Sequence, residues 1–314
     1  MTERLRLGIV GFGKIARDQH LPTILNSPEV ELIAIASPNA PVDGLGIEGV
    51  SLYPTLEQML EASPDLDAVI MCQPPQFRFA AARAALLAGK HVFLEKPPGS
   101  TISEVEHLKL LAAERHLTLF AGWHSRCATA VTPAKLWLAK GHVRGGAIRW
   151  REDVRHWHPD QDWIWAAGGL GVFDPGINAL SILTEILPEP VRVLESVLEI
   201  PANRHSPIAA RLKLATSSGA LIDVDFDWRQ TGQQTWEIEL DSDHGNLRLT
   251  DGGSRLAIDG QLEVTGIDQE YPALYHHFRE LVRERRSDVD LTPLQLVADA
   301  FIVGRLSSTA NFDY

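Results

Sequence analysis

Positive charge is scarce in this chain. Its 29 Lys and Arg stand against 41 Asp and Glu, a net charge of −12 over 314 residues, so it has no electrostatic footprint for a phosphate backbone or an anionic membrane. Nucleic acid and membrane partners are not expected. Cysteine is scarcer still: Cys72 and Cys127 are the only two, without CxxC or Cys/His spacing, which excludes a disulfide framework and a structural zinc site. No run of about 18 apolar residues occurs, and the first ten residues enter a strand-like segment without an apolar leader. A cytoplasmic location is expected. Internal repeats and low-complexity tracts are missing as well.

What is present is ordinary globular material. With 45 % hydrophobic and 22 % charged residues, and about 150 residues per domain as a guide, the chain is long enough for two cores. The first 125 or so residues alternate short β-branched runs with helical stretches, the pattern of a parallel sheet built from βαβ units. Strands are predicted at Leu5–Val10, Val30–Ala36, Ala68–Cys72, His91–Leu94 and Leu117–Ala121. Helix signals lie between them: Thr55 with Gln58 and Ser103 with Glu106 read as capping boxes, and the Ala-rich stretch Gln76–Ala88 stops at Gly89.

Beyond residue 125 the period changes. A helix with Thr132 as cap and Pro133 in first position precedes alternating strands, the clearest being Ala220–Trp228. Turns at Ser217-Ser218-Gly219 and Asp259-Gly260 read as hairpins, and two helices, Tyr271–Arg286 and Pro293–Ser308, close the chain. The expectation is an α/β protein with a dinucleotide-binding domain at 1–125 and an α+β domain at 126–314 carrying an open, mostly antiparallel sheet. One face of such a sheet is bare, which points to a homo-oligomer through it.

Gly11-Phe12-Gly13-Lys14-Ile15-Ala16 is a GxGxxA element between a strand and a helix, the Rossmann context. Gly11 permits the tight turn, Gly13 lets the backbone approach a pyrophosphate, and Ala16 lets helix pack on strand. At the end of the second strand, where an acid ordinarily binds the adenosine ribose, stand Ala36-Ser37-Pro38-Asn39. Without a carboxylate to repel a 2′-phosphate, NADP is tolerated beside NAD; without an adjoining arginine, no strong NADP preference follows.

The run Gly89-Lys90-His91-Val92-Phe93-Leu94-Glu95-Lys96-Pro97 resembles the Gfo/Idh/MocA oxidoreductase family. Gly13–Pro22, Leu119–Ala128, Glu152–Pro159 and Gly168–Ile182 resemble its bacterial L-arabinose and D-galactose 1-dehydrogenase branch. The resemblance covers the whole chain. It implies a Rossmann domain followed by a substrate-carrying open sheet, a dinucleotide held by Gly11, Gly13, Lys14, Ile15, Ser37, Gln73, Pro74, Glu95 and Lys96, and oxidation of the anomeric carbon of a pyranose to a lactone. One departure matters. Where the family usually carries Asp and His four residues apart on a helix, this chain has Asp174 and Asn178, and an amide is no general base.

Asp174 therefore becomes the candidate proton acceptor, with Lys96 keeping that carboxylate ionised and stabilising charge on the C1 oxygen, and Asn178 one helical turn on. By its local sequence alone, Asp174 before Pro175 reads equally as a helix cap. Glu152, Asp153, His156, Trp157, His158, Trp163 and Trp165 crowd into one stretch. Hydroxyls need polar partners and sugar C–H faces need aromatics, so His124, Glu152, Trp157, His158 and Trp163 are the candidate sugar-binding set. His156 and His158 have no third ligand at a metal spacing, and no metal is expected. Two rivals stay open: an inositol or other polyol dehydrogenase, which would be expected to keep histidine at 178, and a non-catalytic sugar-sensing regulator on the same fold.

Overall fold

The computed structural model describes residues 4–38, 46–159, 161–267 and 269–313. The chain divides into two compact units, Met1–Trp123 with Tyr271–Leu291, and His124–Glu270 with Thr292–Tyr314.

In the first unit, β1 (Leu5–Val10), β2 (Val30–Ala36), β3 (Ser51–Tyr53), β4 (Ala68–Met71), β5 (His91–Glu95) and β6 (Leu119–Gly122) form a parallel sheet in the order β3-β2-β1-β4-β5-β6. This is the dinucleotide-binding order, with its switch point between β1 and β4. Every residue of β4 is buried, as a strand covered on both faces requires. Helices Leu56–Ala62, Arg78–Leu87 and Ile102–Glu114 carry Met59, Ala82, Leu86, Val105 and Leu108 into one core with Val69, Met71, Val92 and Leu94. Thr55 caps the first of them as its sequence suggests, accepting from the Gln58 amide. The cap of the third is Thr101 in a reciprocal box with Glu104, not Ser103; both pairs have the right spacing, and the one farther upstream satisfies the first amides.

Helix Glu270–Glu284 departs from the expected layout. Its apolar stripe Tyr271, Leu274, Tyr275, Phe278 and Leu281 is buried, and Phe278 lies 5.5 Å from Phe93 and 5.9 Å from Phe120 between ring centroids. Asp288 then extends the sheet beside Phe120. Aromatic burial draws this segment into the first unit although strand alternation precedes and follows it, so the two units interleave along the chain.

In the second unit β7 (Val143–Arg151), β8 (Val191–Pro201), β9 (Ala209–Thr216), β10 (Leu221–Asp227), β11 (Thr235–Ser242), β12 (Gly245–Thr250), β13 (Arg255–Ile258), β14 (Gln261–Thr265) and β15 (Gly304–Thr309) form one sheet in the order β14-β13-β12-β11-β7-β10-β9-β8-β15. It is mostly antiparallel, with parallel pairs at β7–β10 and β8–β15. One face carries Ile148, Trp150, Ile222, Val224, Phe226, Ile238 and Leu240 and is covered by helix Phe173–Ile186. That helix lies close because of Gly176, where an added Cβ would stand 2.7 Å from the Phe226 ring.

The opposite face is a charge ladder. Arg229 pairs with Glu199 at 3.0 Å and Asp227 at 2.7 Å, Arg248 with Glu237 at 3.0 Å, and Arg151 with Asp225. Paired charges of this kind keep a sheet face solvated.

Two further helix ends differ from the sequence reading. The helix Val131–Leu138 starts after Ala130 with no side-chain cap, because the Ala130 amide is held by Gly253 O at 2.9 Å, and Thr132 falls inside its first turn. The last helix ends at Ile302, not Ser308; the remaining residues pair with the open edge of β8, a long-range contact that local helical pattern cannot reveal.

Candidate active site

In the first unit the candidate dinucleotide residues lie at the C-terminal ends of β1, β2, β4 and β5. Gly11 has φ +84°, and a Cβ there would lie 2.7 Å from the backbone nitrogen of Gln73, so the turn after β1 and the end of β4 touch only because residue 11 has no side chain. At Gly13 an added Cβ meets nothing within 4 Å; the loop is open on that side, as close approach by a pyrophosphate requires. Lys14 and Ile15 begin the helix, Lys14 pairs with Asp18, and Ala16–His20 winds as a π turn, a local widening common at functional sites. Ser37 is buried at the end of β2, its amide on Tyr53 O at 2.9 Å; Asn39 lies outside the described residues. The Gln73 side-chain oxygen is buried without a hydrogen-bond partner, an acceptor whose desolvation a ligand donor would relieve. A cradle open at Gly13 and an orphaned acceptor beside Gly11 fit a dinucleotide.

Arg78, 3 % exposed, fastens this end of the sheet, its guanidinium donating to the carbonyls of Gln73, Glu95 and Pro97. Lys96 is half-buried between two of those anchored carbonyls. Glu95, read from sequence as a cofactor-binding residue, has its carboxylate turned inward at 2 % exposure. It accepts from His20 Nε2 at 2.9 Å, from the Tyr271 hydroxyl at 2.9 Å and from the Lys96 amide at 2.8 Å.

The second unit holds the other candidates. Asp174 occupies the first turn of helix Phe173–Ile186, but Val172 is the residue before the helix and no side chain caps it. The simple cap reading of Asp174 is thereby corrected. Its carboxylate, 5 % exposed, faces His158 Nε2 at 3.5 Å, and the positive end of the helix favours its charge. Asn178 follows one turn later on the same helix. Glu152, 4 % exposed, lies 3.9 Å from the same His158 nitrogen and accepts from Trp228 Nε1 at 3.2 Å and Trp236 Nε1 at 3.0 Å. One imidazole thus stands between two carboxylates.

Indoles frame this cluster. Trp157 lies 5.4 Å from Trp236, and Trp228 lies 5.2 Å from both His158 and Trp165. The Trp157 Nε1 donor is buried with no partner, which costs about 1–3 kcal/mol until an acceptor arrives. Residues Val154–Trp157 form a helical turn capped by Asp153, so His156 and His158 do not share a strand face as an extended chain would have them. Trp163 is half-buried in the short turn Asp162–Ile164. His124 is held by Glu270 and by Ser125 Oγ at 3.3 Å.

Sequence reasoning missed Trp228, Trp236, Glu270 and the His20–Tyr271 pair. Trp228 was legible only as the inward end of an alternating strand, and the others carry no local signal.

The first unit thus has a Rossmann sheet whose β1 turn fits a dinucleotide, and the second presents carboxylates, an imidazole and indoles. Residues 5–123 match the Gfo/Idh/MocA model, described as an oxidoreductase family with an NAD-binding Rossmann fold. The chain is 44 % identical to galactose 1-dehydrogenase of Pseudomonas fluorescens, over 98 % of this chain and 99 % of that one. It superposes on the crystal structure of D-galactose-1-dehydrogenase from Rhizobium etli with a TM-score of 0.94 at 51 % identity, covering 100 % and 99 % of the two chains. A 3-ketoreductase from Actinomadura kijaniata, solved with TDP-benzene and NADP, shares the fold at a TM-score of 0.83 and 21 % identity, over 98 % and 100 %. The chain belongs to the Gfo/Idh/MocA oxidoreductase family.

Proposed function

We propose that the protein is an aldose 1-dehydrogenase, oxidising the anomeric carbon of D-galactopyranose or L-arabinopyranose to the aldonolactone with NAD+ or NADP+. The observation that carries this reading is the group Asp174, His158 and Glu152, enclosed by indoles and including the unpartnered Trp157 N–H. Buried acceptors beside aromatic faces suit a ring that is polar at its edge and apolar on its face. The galactose dehydrogenase relatives support the same substrate class.

In this reading Gly11, Gly13, Lys14, Ile15, Ser37, Gln73, Pro74 and Lys96 hold the dinucleotide, while the Glu95 carboxylate is turned inward to His20, Tyr271 and the Lys96 amide. When bound, its nicotinamide accepts the C1 hydrogen as hydride. Asp174 takes the proton of the C1 hydroxyl as the carbonyl forms, and the Lys96 ammonium stabilises the negative charge that develops on that oxygen. Asn178 positions the sugar or Asp174 by hydrogen bonds. Glu152, oriented by the Trp228 and Trp236 indole donors, serves as an acceptor for sugar hydroxyls, and His158, His124, Trp157 and Trp163 complete recognition. Ser37 accommodates either a ribose 2′-hydroxyl or a 2′-phosphate. A cytoplasmic enzyme, assembled through the charge-paired sheet face, is the setting this reading expects.

The test is to incubate the purified protein with D-galactose and NAD+ or NADP+, following the absorbance of reduced nicotinamide and the appearance of galactonolactone by NMR. Both signals are expected. Dinucleotide binding with neither signal would overturn the reading in favour of a sensor.

A further inference from the structure

Beneath Lys96 the first unit buries an unusual amount of polarity. His20, Glu95, Tyr271 and Tyr275 are 0 %, 2 %, 4 % and 2 % exposed, and one chain of hydrogen bonds connects them: Tyr275 hydroxyl to His20 Nδ1 at 2.7 Å, His20 Nε2 to Glu95 Oε1 at 2.9 Å, and Tyr271 hydroxyl to the same Glu95 oxygen at 2.9 Å. The other oxygen of Glu95 accepts the backbone N–H of Lys96 at 2.8 Å. Edge contacts hold the imidazole on every side, to Tyr271 at 5.0 Å, Phe93 at 5.7 Å and Tyr275 at 5.8 Å. Burial alone would lower the His20 pKa, but Cys72, Tyr275 and Glu95 together raise it well above its ordinary value. Burial pushes the Tyr275 hydroxyl up in turn, keeping it neutral.

A buried ionic cluster is poor value as a stabiliser. Its desolvation commonly cancels its attraction, and apolar residues of the same volume do as well or better. What such a cluster supplies is direction, because each hydrogen bond fixes an angle where apolar contact does not. Here the direction is delivered to one place, the Glu95–Lys96 junction, whose flanking carbonyls Arg78 holds from the other side.

We propose that His20, Glu95 and Tyr271 are positioning residues that set the Lys96 backbone, and through it the ammonium, for hydride transfer. The proposal rests on the catalytic role assigned to Lys96 above. Glu95 touches neither substrate nor reacting atoms in this scheme and acts by accepting the Lys96 amide. His20 and Tyr271 act one step farther back, by aiming Glu95.

Glu95→Gln is the sharpest probe, because an amide of the same shape cannot accept from His20, Tyr271 and the Lys96 N–H all at once. A misplacement near 1 Å costs about 10² in rate. Its kcat is therefore expected to fall by about 10- to 100-fold, while dinucleotide affinity, measured by fluorescence titration of the whole enzyme, stays within about tenfold. The decisive comparison is a double-mutant cycle. Since the effect passes through Lys96, Glu95→Gln introduced into Lys96→Ala should change kcat by less than about twofold. The same loss in both backgrounds, or no loss in the wild-type background, would overturn the proposal. Should Glu95→Gln not fold, Tyr271→Phe keeps the ring edge on His20 and removes one donor. It is expected to lower kcat by about three- to tenfold, again only when Lys96 is present, and full kcat in that variant overturns the proposal equally. Lys96→Ala with near-normal kcat would instead refute the role of Lys96 itself, a failure read from that single variant alone.

Discussion

Replacing Asp174 by asparagine keeps the volume and hydrogen-bonding shape of the side chain and removes its capacity to take a proton. The structural cost is small. The Asp174 backbone amide bonds Gly171 O at 2.9 Å whatever the side chain, and Val172 precedes the helix without a side-chain cap. What is lost is a negative charge in the first helical turn, worth about 0.3–1 kcal/mol, and the attraction to His158. For a protein of this size that is a melting shift of roughly 2–4 °C per kcal/mol. The kinetic cost is of another order. Loss of a general base costs about 10²–10⁴ in rate, or roughly 3–5 kcal/mol of barrier at 1.36 kcal/mol per decade. Steady-state rates at saturating D-galactose and dinucleotide, beside a thermal melt of the same sample, separate the two. A kcat reduced at least about 100-fold with a melting point lowered by only a few degrees is expected. A variant with near-normal kcat would refute the assignment and leave Asp174 as a charge at a helix end.

Three other outcomes follow from particular contacts. Ser37→Asp places a carboxylate where a 2′-phosphate would lie and should lower kcat/KM for NADP+ selectively while sparing NAD+; wild-type rejection of NADP+ would already contradict the reading of Ser37. Gly11→Ala forces a side chain into a left-handed backbone against Gln73 and should cost more than about 1 kcal/mol in denaturant unfolding and weaken dinucleotide binding; unchanged values for both would mean that the turn relaxes freely. His20→Gln should change the pH dependence of stability. Because the folded-state pKa of His20 is raised, its contribution is fully present below about pH 6.5, its unfolded value, and is lost as pH rises through the folded value, so the stability gap to wild type should narrow with increasing pH. A gap independent of pH would show that His20 stays neutral.

The parallel sheet was readable because its cues are local. Apolar β-branched runs, Thr55 before its helix and Gly89 after the next mark ends within a few residues, and Gly11 and Gly13 declare a turn by their type. Strand β3 escaped notice because three residues, one exposed and two half-buried, carry no period. Helix Glu270–Glu284 showed its stripe plainly, but a stripe does not name the surface it will cover, and Phe93 and Phe120 lie far upstream. The site divides in the same way. Glu152, His158 and Trp157 could be selected from a crowded stretch of sequence, and Asp174 from the family resemblance, since its own neighbourhood reads equally as a helix cap. That one imidazole stands between two carboxylates, or that His20 finds Glu95 seventy-five residues away, is decided by packing, and nothing in the neighbourhood of either residue announces it.

The central claim is that the indole-lined cluster of Asp174, His158 and Glu152 serves an aldose with the hydroxyl arrangement that galactose and arabinose share. It is tested most directly by kcat/KM for L-arabinose, D-galactose, D-glucose and myo-inositol, each with NAD+ and NADP+. Inverting C4 leaves a buried polar group unpaired at about 1–3 kcal/mol, whereas a hydroxymethyl on C5 weighs little. L-Arabinose and D-galactose should fall within about tenfold of each other and D-glucose at least about tenfold below both. Turnover of D-glucose equal to D-galactose, or activity confined to myo-inositol, would contradict the account.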